Sequence, residues 1–217
     1  TLLVTGASQG ASSINEFIPA LAKQHPEFFR GWQVLHIAGA NHESEIQKVW
    51  KKLNVPSTVV GFVEEMGLAW GVADFAVTRG GANTIAELAI NAVPAIVLPY
   101  PYHKDNHQKS NALPLVEKGG VFVETDFAQT SLNLAHAGSV ICKLLKDHQQ
   151  RFAMQQALTT ASPENGALLW GFTEKSQKTQ RKSQHALDTS NSLTLSNCPK
   201  KSCFAYPGVS FACPRGP

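Results

Sequence analysis

Two segments hold the residues best suited to chemistry, Arg79–Gly80–Gly81–Ala82–Asn83–Thr84–Ile85–Ala86–Glu87 and His103–Lys104–Asp105–Asn106–His107–Gln108–Lys109–Ser110–Asn111. Each follows an apolar, strand-like run and opens a helix-like one. In the first, Gly81, Ala82, Asn83 and Thr84 offer backbone N–H groups to a phosphate, and Thr84 adds a hydroxyl. The dipole of the helix they open favours a diphosphate there by up to ~2 kcal/mol. Glu87, one turn further in, can accept two hydrogen bonds from a ribose 2′,3′-diol. The spacing Thr84-x-x-Glu87 also fits a capping box, in which Glu87 serves only the helix. In the second segment Gln108 and Asn111 share a helix face beside His107, and amides that both donate and accept suit sugar hydroxyls. A solvated helix start capped by Asp105 or Asn106 accounts for the same residues. Pro99–Tyr100–Pro101 ahead of them fixes a rigid approach. Together the two segments predict a site for a nucleotide sugar.

Two further turns belong with them. Gly6–Ala7–Ser8–Gln9–Gly10–Ala11 joins an apolar run to a helical pattern, with glycines that permit close backbone approach and a Ser8 hydroxyl for a phosphate oxygen. A plain glycine turn capped by Ser8 fits equally. The turn lacks the GxGxxG fingerprint and the Walker lysine. Phe62–Val63 follows another apolar run and can offer a ring and backbone groups to a base, or simply pack in the core. Arg79 suits either a phosphate contact or a salt bridge that braces its loop.

The elements that must position these turns alternate regularly. Strands are predicted at Leu2–Thr5, Trp32–Ala38, Ser57–Val60, Asp74–Thr78, Ala95–Leu98 and Val121–Glu124. Helices are predicted at Ser12–Gln24, His42–Leu53, around Glu64–Trp70, and at Asn83–Asn91, His107–Lys118 and Leu132–Leu145. Continuous apolar strands alternating with helices predict an α/β fold, a doubly wound parallel sheet covered on both faces. In such sheets ligands bind beyond the C-terminal ends of the strands, and all four turns fall there.

Composition bounds the rest. The chain has 217 residues and a formal charge of +3, but the charge is uneven. Residues 1–170 carry twelve Lys/Arg against fourteen Asp/Glu, and residues 171–217 carry seven against two. The basic excess therefore belongs to the tail, and the folded part is not expected to bind nucleic acid. No apolar run is long enough to span a bilayer, and no signal peptide is visible. Cys142 fits a helix core, while Cys198, Cys203 and Cys213 match no paired zinc spacing, so no metal site and no cofactor are expected. Residues 1–171 are expected to form one domain. Residues 172–217, Ser/Thr/Gln/Lys-rich and then Pro/Gly/Cys-rich, are expected to be disordered or foreign to it, with translation past a frameshift as one origin. Thr1 opens inside a predicted strand, which reads as a fragment or an excised domain.

The motifs in order resemble the C-terminal half of the MurG family: Gly6–Ala–Ser–Gln–Gly–Ala11 with Asn15, Gly61–Phe–Val–Glu–Glu–Met66, Arg79–Gly–Gly–Ala–Asn–Thr84 with Glu87, and His107–Gln108 with Asn111–Ala112. The likeness covers roughly residues 1–165. It implies a GT-B fold, two Rossmann-like domains with the donor held mainly by the C-terminal one. It implies an inverting transfer of N-acetylglucosamine from UDP-GlcNAc to undecaprenyl-diphosphate-linked muramyl-pentapeptide (lipid I to lipid II, in peptidoglycan synthesis). The donor-binding set it implies is Ser8, Gln9, Gly10, Asn15, Phe62, Val63, Gly81, Ala82, Asn83, Thr84, Glu87, His107, Gln108 and Asn111. Ser8 would touch the diphosphate, the Val63 backbone would face uracil, and Ala82–Thr84 would line diphosphate and sugar. Glu87 would take the ribose diol, and His107, Gln108 and Asn111 would meet the GlcNAc hydroxyls. Gly6–Ala7–Ser8 departs from the family's usual Gly-Gly-Ser. The resemblance places the general base in an acceptor domain outside these residues, so no catalytic residue is expected here and the chain alone is expected to be inactive. It implies work at the cytoplasmic face of the cell membrane, as a peripheral protein. Two other readings stay open: the donor-site subunit of a two-part dolichol-linked GlcNAc transferase, and a non-catalytic nucleotide-sugar-binding module. An epimerase acting on the same donor is a further outsider.

Overall fold

The structure is a computed structural model that describes residues 1–6, 12–102 and 107–161. Six strands form one wholly parallel sheet: β1 (Leu2–Thr5), β2 (Val34–Ile37), β3 (Ser57–Val60), β4 (Phe75–Thr78), β5 (Ala95–Val97) and β6 (Val121–Val123). Their order across the sheet is β3-β2-β1-β4-β5-β6. This is the doubly wound, Rossmann-like arrangement that the alternation predicts. The winding reverses between β1 and β4, where Thr5 pairs with Thr78. Crossovers leave in opposite directions from these two strands, and in such sheets ligands bind beyond the carboxyl ends at that point.

The helices are α1 (Ser12–Gln24), α2 (Glu43–Leu53), α3 (Met66–Val72), α4 (Ala82–Ile90), α5 (His107–Glu117), α6 (Thr130–Ala135), α7 (Ala137–Lys146) and α8 (His148–Ala161). Successive strand residues point to opposite faces, and each face has its own core. Leu2, Val4, Phe75, Val77, Ile96 and Leu98 meet α1, α2 and α7 through Phe17, Ile18, Trp50 and Ile141. Leu3, Leu35, Ala76 and Val97 meet α3, α4 and α5 through Trp70, Leu88 and Leu115. The strands read as unbroken apolar runs because both faces are covered. Each large side chain fully buried this way contributes roughly 1.5–3 kcal/mol.

Two elements depart from the sequence expectation. The single helix predicted over Leu132–Leu145 is two, α6 and α7, broken at His136 (φ −103°, ψ −78°). Asn133 anchors α6 to the preceding loop, whereas α7 is drawn onto α1, where a Cβ at Gly138 would stand 3.0 Å from Leu21. Helix α8 goes unpredicted because its apolar signal is thin: Met154 and Leu158 are its buried side chains. They join different cores, Met154 that of α1 and α7 and Leu158 that of α4 and α5. Its position is fixed by Arg151, which donates to the Leu144 and Leu145 carbonyls at the end of α7 and lies over the Trp32 ring. The tail expectation for residues 172–217 lies outside the described residues.

One polar chain crosses the first core. Trp50 Nε1 donates to His36 Nδ1 (3.0 Å), His36 Nε2 meets Asn15 Oδ1 (2.9 Å), and Asn15 Nδ2 donates to the Ala38 carbonyl (2.8 Å). The indole donor requires His36 to be neutral and protonated on Nε2. Burial pushes the His36 pKa down to about 3. The unfolded histidine protonates near its ordinary 6.5, so acid draws the equilibrium toward unfolding as pH falls from 6.5 toward 3. Denaturant unfolding should therefore show about 2 kcal/mol less stability at pH 5 than at pH 7. Most of that difference should vanish in His36→Gln; equal stability at both pH values in the unaltered chain would contradict it.

Candidate functional site

All strands run the same way, so the turns after β1, β3, β4 and β5 leave from one edge of the sheet. The Ser8, Gln9 and Gly10 expectations lie outside the described residues. The other predicted residues can be placed.

Helix α4 begins at Gly81, which has no side chain to cap it, and its first intrahelical bond runs from Ile85 N to Gly81 O (2.9 Å). The N–H groups of Ala82, Asn83 and Thr84 thus have no acceptor within the helix. Ala82 and Asn83 are exposed, and Gly81 and Thr84 are half-buried. The two glycines before the helix differ in kind. A Cβ at Gly80 would stand 2.2 Å from the Gln108 carbonyl oxygen, so contact with α5 demands glycine. A Cβ at Gly81 would meet only Thr84 Oγ1, at an ordinary 3.6 Å. Nothing in the described chain requires Gly81 to be small.

Glu87 is half-buried, and its Oε2 accepts from Trp70 Nε1 at 2.9 Å. With Gly81 at the cap, Glu87 lies too far along α4 for a capping box, and its carboxylate bonds the indole instead. Burial raises its pKa from the ordinary glutamate value, and the Trp70 hydrogen bond opposes the rise. Oε1 and a second lone pair on Oε2 accept no hydrogen bond among the described residues. Trp70, packed in the second core, is therefore also a polar neighbour of this acid.

The turn after β3 is anchored by Gly61, whose N–H donates to Glu43 Oε2 (2.7 Å) and whose missing Cβ admits Ala40 Cα. Phe62 is 65% exposed, whereas Val63 turns into the α3–α5 core. Of the two readings for this pair, packing describes Val63, and Phe62 presents its ring to solvent. His107 is exposed at the start of α5. The amides of Gln108 and Asn111 reach across to the β4 turn: Gln108 Oε1 accepts from Gly80 and Tyr100 N–H, and Asn111 Nδ2 donates to Gly80 O. Asn15 is a correction. Its side chain is 2% exposed and committed to His36 and Ala38, so it sits inside the core beneath this edge.

Beneath the turns lies a buried ion pair whose acid, Asp126, the sequence reading missed. Arg79 is 3% exposed. Its Nη1 pairs with Asp126 Oδ2 (2.7 Å) and donates to the Leu98 (2.8 Å) and Pro99 (3.1 Å) carbonyls. Its Nη2 donates to Ser13 Oγ (2.8 Å), and its face lies 5.6 Å from the Tyr100 ring centroid. Asp126 also accepts from Ser13 Oγ, Asn133 Nδ2 and Ala128 N–H. Burial alone would raise the Asp126 pKa; the three hydrogen bonds and the Arg79 charge outweigh it and hold the carboxyl below its ordinary range. Arg79 thus braces its loop, the second of the two roles its position suggested. The available signal was a cation directly after the buried run Phe75–Thr78, which needs a partner. Nothing in the sequence said which acid supplies it.

Among the described residues no cluster of three His, Cys, Asp or Glu could hold a metal ion. Two cavities lie away from this edge: one of about 330 Å³ at the opposite end of the sheet, beside Arg30, Trp32 and His148, and one of about 440 Å³ beside Phe28 and Cys142.

The strand order and its reversal between β1 and β4 define a Rossmann-like α/β domain. The glycosyltransferase family 28 C-terminal domain model matches residues 1–167, and the chain belongs to that family. It is 34% identical over 164 residues to a Thiobacillus denitrificans UDP-N-acetylglucosamine–N-acetylmuramyl-(pentapeptide) pyrophosphoryl-undecaprenol N-acetylglucosamine transferase, covering 75% of this chain and 43% of the relative. The enzyme of that name from Hydrogenovibrio crunogenus is 40% identical over 134 residues, 62% of this chain and 38% of the relative. Among solved structures, Acinetobacter baumannii MurG shares the fold with a TM-score of 0.65 at 24% identity, covering 88% of this chain and 52% of that one. The chain therefore spans less than half the length of these two curated relatives.

The ion pair carries a stability expectation. Arg79→Met strands a buried carboxylate and should cost ~3–5 kcal/mol in denaturant unfolding. Adding Asp126→Asn to Arg79→Met should recover part of that loss. A double variant no more stable than Arg79→Met would show that the two side chains are not coupled.

Proposed function

We propose that this chain is the donor-binding half of an inverting hexosyltransferase that moves GlcNAc from UDP-GlcNAc to a polyprenyl-diphosphate-linked muramyl-pentapeptide in peptidoglycan synthesis. The observation that carries the reading is the uncapped start of α4 at the sheet's reversal point, with Glu87 one turn further in. Membership of the family and identity to transferases that bear this activity in their names support this choice of substrate.

In the proposed complex the N–H groups of Ala82, Asn83 and Thr84 cup the diphosphate. Glu87 accepts the ribose diol, the Phe62 ring and Val63 backbone meet the base, and the first turn of α5 meets the sugar. Ser8, Gln9 and Gly10 are assigned to the same donor, Ser8 to its diphosphate. The acceptor hydroxyl attacks the anomeric carbon as the bond to UDP breaks. Charge then develops on the departing diphosphate, where the oriented amides and dipole of α4 stabilise it without reorganising. We assign that task to the helix start and propose no metal and no cofactor. The base that takes the acceptor's proton, and the acceptor site itself, are proposed to reside in the rest of a full-length enzyme. A lipid-linked acceptor puts the work at the inner face of the cell membrane. Among the described residues no helix is long and apolar enough to cross it.

Calorimetric titration of the chain with UDP-GlcNAc and UDP should give saturable binding, and no heat at millimolar ligand would overturn the reading. Glu87→Ala should weaken binding several-fold to tens-fold, since truncation removes a charged hydrogen-bond acceptor worth ~1–3 kcal/mol. The ionised carboxylate is the better acceptor and its pKa is raised. Affinity should therefore fall with acidification sooner than an ordinary glutamate would dictate, and Glu87→Gln should abolish that pH dependence. Undiminished affinity in Glu87→Ala would take the ribose role away from Glu87.

A further inference from the structure

The side-chain amides of α5 hold the diphosphate turn rather than standing free for a sugar. Gln108 Oε1 accepts from the backbone N–H of Gly80 (3.3 Å) and of Tyr100 (2.9 Å). Asn111 Nδ2, one turn on, donates to the Gly80 carbonyl (2.9 Å). The partners fix which way each amide points, because backbone N–H groups require an oxygen and a carbonyl requires a nitrogen. Both polar groups of the Gly80 residue are thus held by side chains from the first two turns of α5. The two backbones touch there, with a Cβ at Gly80 placed 2.2 Å from the Gln108 carbonyl oxygen. Gly80 itself is buried and immediately precedes Gly81, the cap of α4. The orientation of the Gly80 peptide therefore sets the direction in which the Ala82, Asn83 and Thr84 amides point.

Resting on the function proposed above, we propose that Gln108 and Asn111 are positioning residues for the diphosphate: they clamp Gly80 so that the start of α4 is oriented before any ligand arrives. Gln108 Oε1 has two lone pairs, and the two N–H groups take them. What Gln108 retains for a sugar is its Nε2 donor. The Tyr100 N–H on the same oxygen draws the β5 turn into the clamp. Arg79 holds that turn from below through the Leu98 and Pro99 carbonyls. One side chain thus links the exits of two adjacent strands, and the diphosphate meets a surface already set. A pure sugar contact predicts otherwise: loss of Gln108 would then affect UDP-GlcNAc and leave UDP alone.

The test compares the full chain with its Gln108→Ala and Gln108→Glu variants in two measurements. The first is calorimetry with UDP and with UDP-GlcNAc. Gln108→Ala should lower UDP affinity about tenfold, since a buried backbone donor loses its acceptor, and UDP-GlcNAc affinity should fall at least as far. UDP affinity unchanged while UDP-GlcNAc weakens would overturn the proposal. The second measurement needs no ligand: hydrogen exchange of the Gly80 and Tyr100 amides followed by NMR. Both should exchange faster in Gln108→Ala and stay protected in Gln108→Glu, whose carboxylate accepts both N–H groups. Unchanged exchange in Gln108→Ala would overturn the clamp even if the chain bound no nucleotide. Absence of UDP binding by the unaltered chain, with the amides still responding, would instead strike the proposed function and sink the diphosphate role with it.

Discussion

The buried pair of Arg79 and Asp126 is the constraint on which the rest of the site depends. A guanidinium and a carboxylate withdrawn from water cost several kcal/mol each unless their remaining valences are met. Here most are met by groups from different elements: Ser13 at the start of α1, the Leu98 and Pro99 carbonyls at the exit of β5, and Ala128 and Asn133 at and beyond the β6 turn. The desolvation cost is what makes the arrangement specific. Moving any one of these turns away strands a buried charge or donor. The edge of the sheet therefore behaves as one body, although it is built from loops that are far apart in the chain.

Upon that floor the structure sets a second layer of hydrogen bonds. Gln108 and Asn111 join the β4 and β5 exits to α5, while Gly61 and Glu43 join the β3 exit to α2. Trp70 ties α3 to Glu87. The bare start of α4 stands at the centre of these attachments. A preorganised set of amides needs no rearrangement when charge develops on a leaving diphosphate, which is the condition under which such amides are most useful. Rigidity at this edge is thus part of the proposed chemistry as well as of the fold.

Much of this was legible in the sequence, for reasons that can be named. Continuous apolar strands and short glycine turns specified a doubly wound sheet, because two covered faces leave no room for polar alternation. The helix start at Gly81–Thr84 with Glu87 further along it was legible because spacing along one helix is local. Asn15 was misread because a polar residue near a helix start looks the same whether it faces a ligand or a buried histidine. Only His36 and Trp50, 21 and 35 residues away in the chain, decide between them. Asp126 was missed for the same reason, its partner lying 47 residues earlier with no spacing to announce it. Helix α8 was missed because two buried side chains serving two separate cores form no stripe. Pairings across the sheet edge depend on topology, and topology was inferred only as a class.

The most direct measurement is a backbone amide NMR titration of the chain with UDP. The account predicts that the largest shifts fall on the Ala82, Asn83 and Thr84 amides, with smaller ones at Phe62, Val63 and Glu87. Shifts concentrated instead around Arg30, Trp32 and His148, at the opposite end of the sheet, would contradict it.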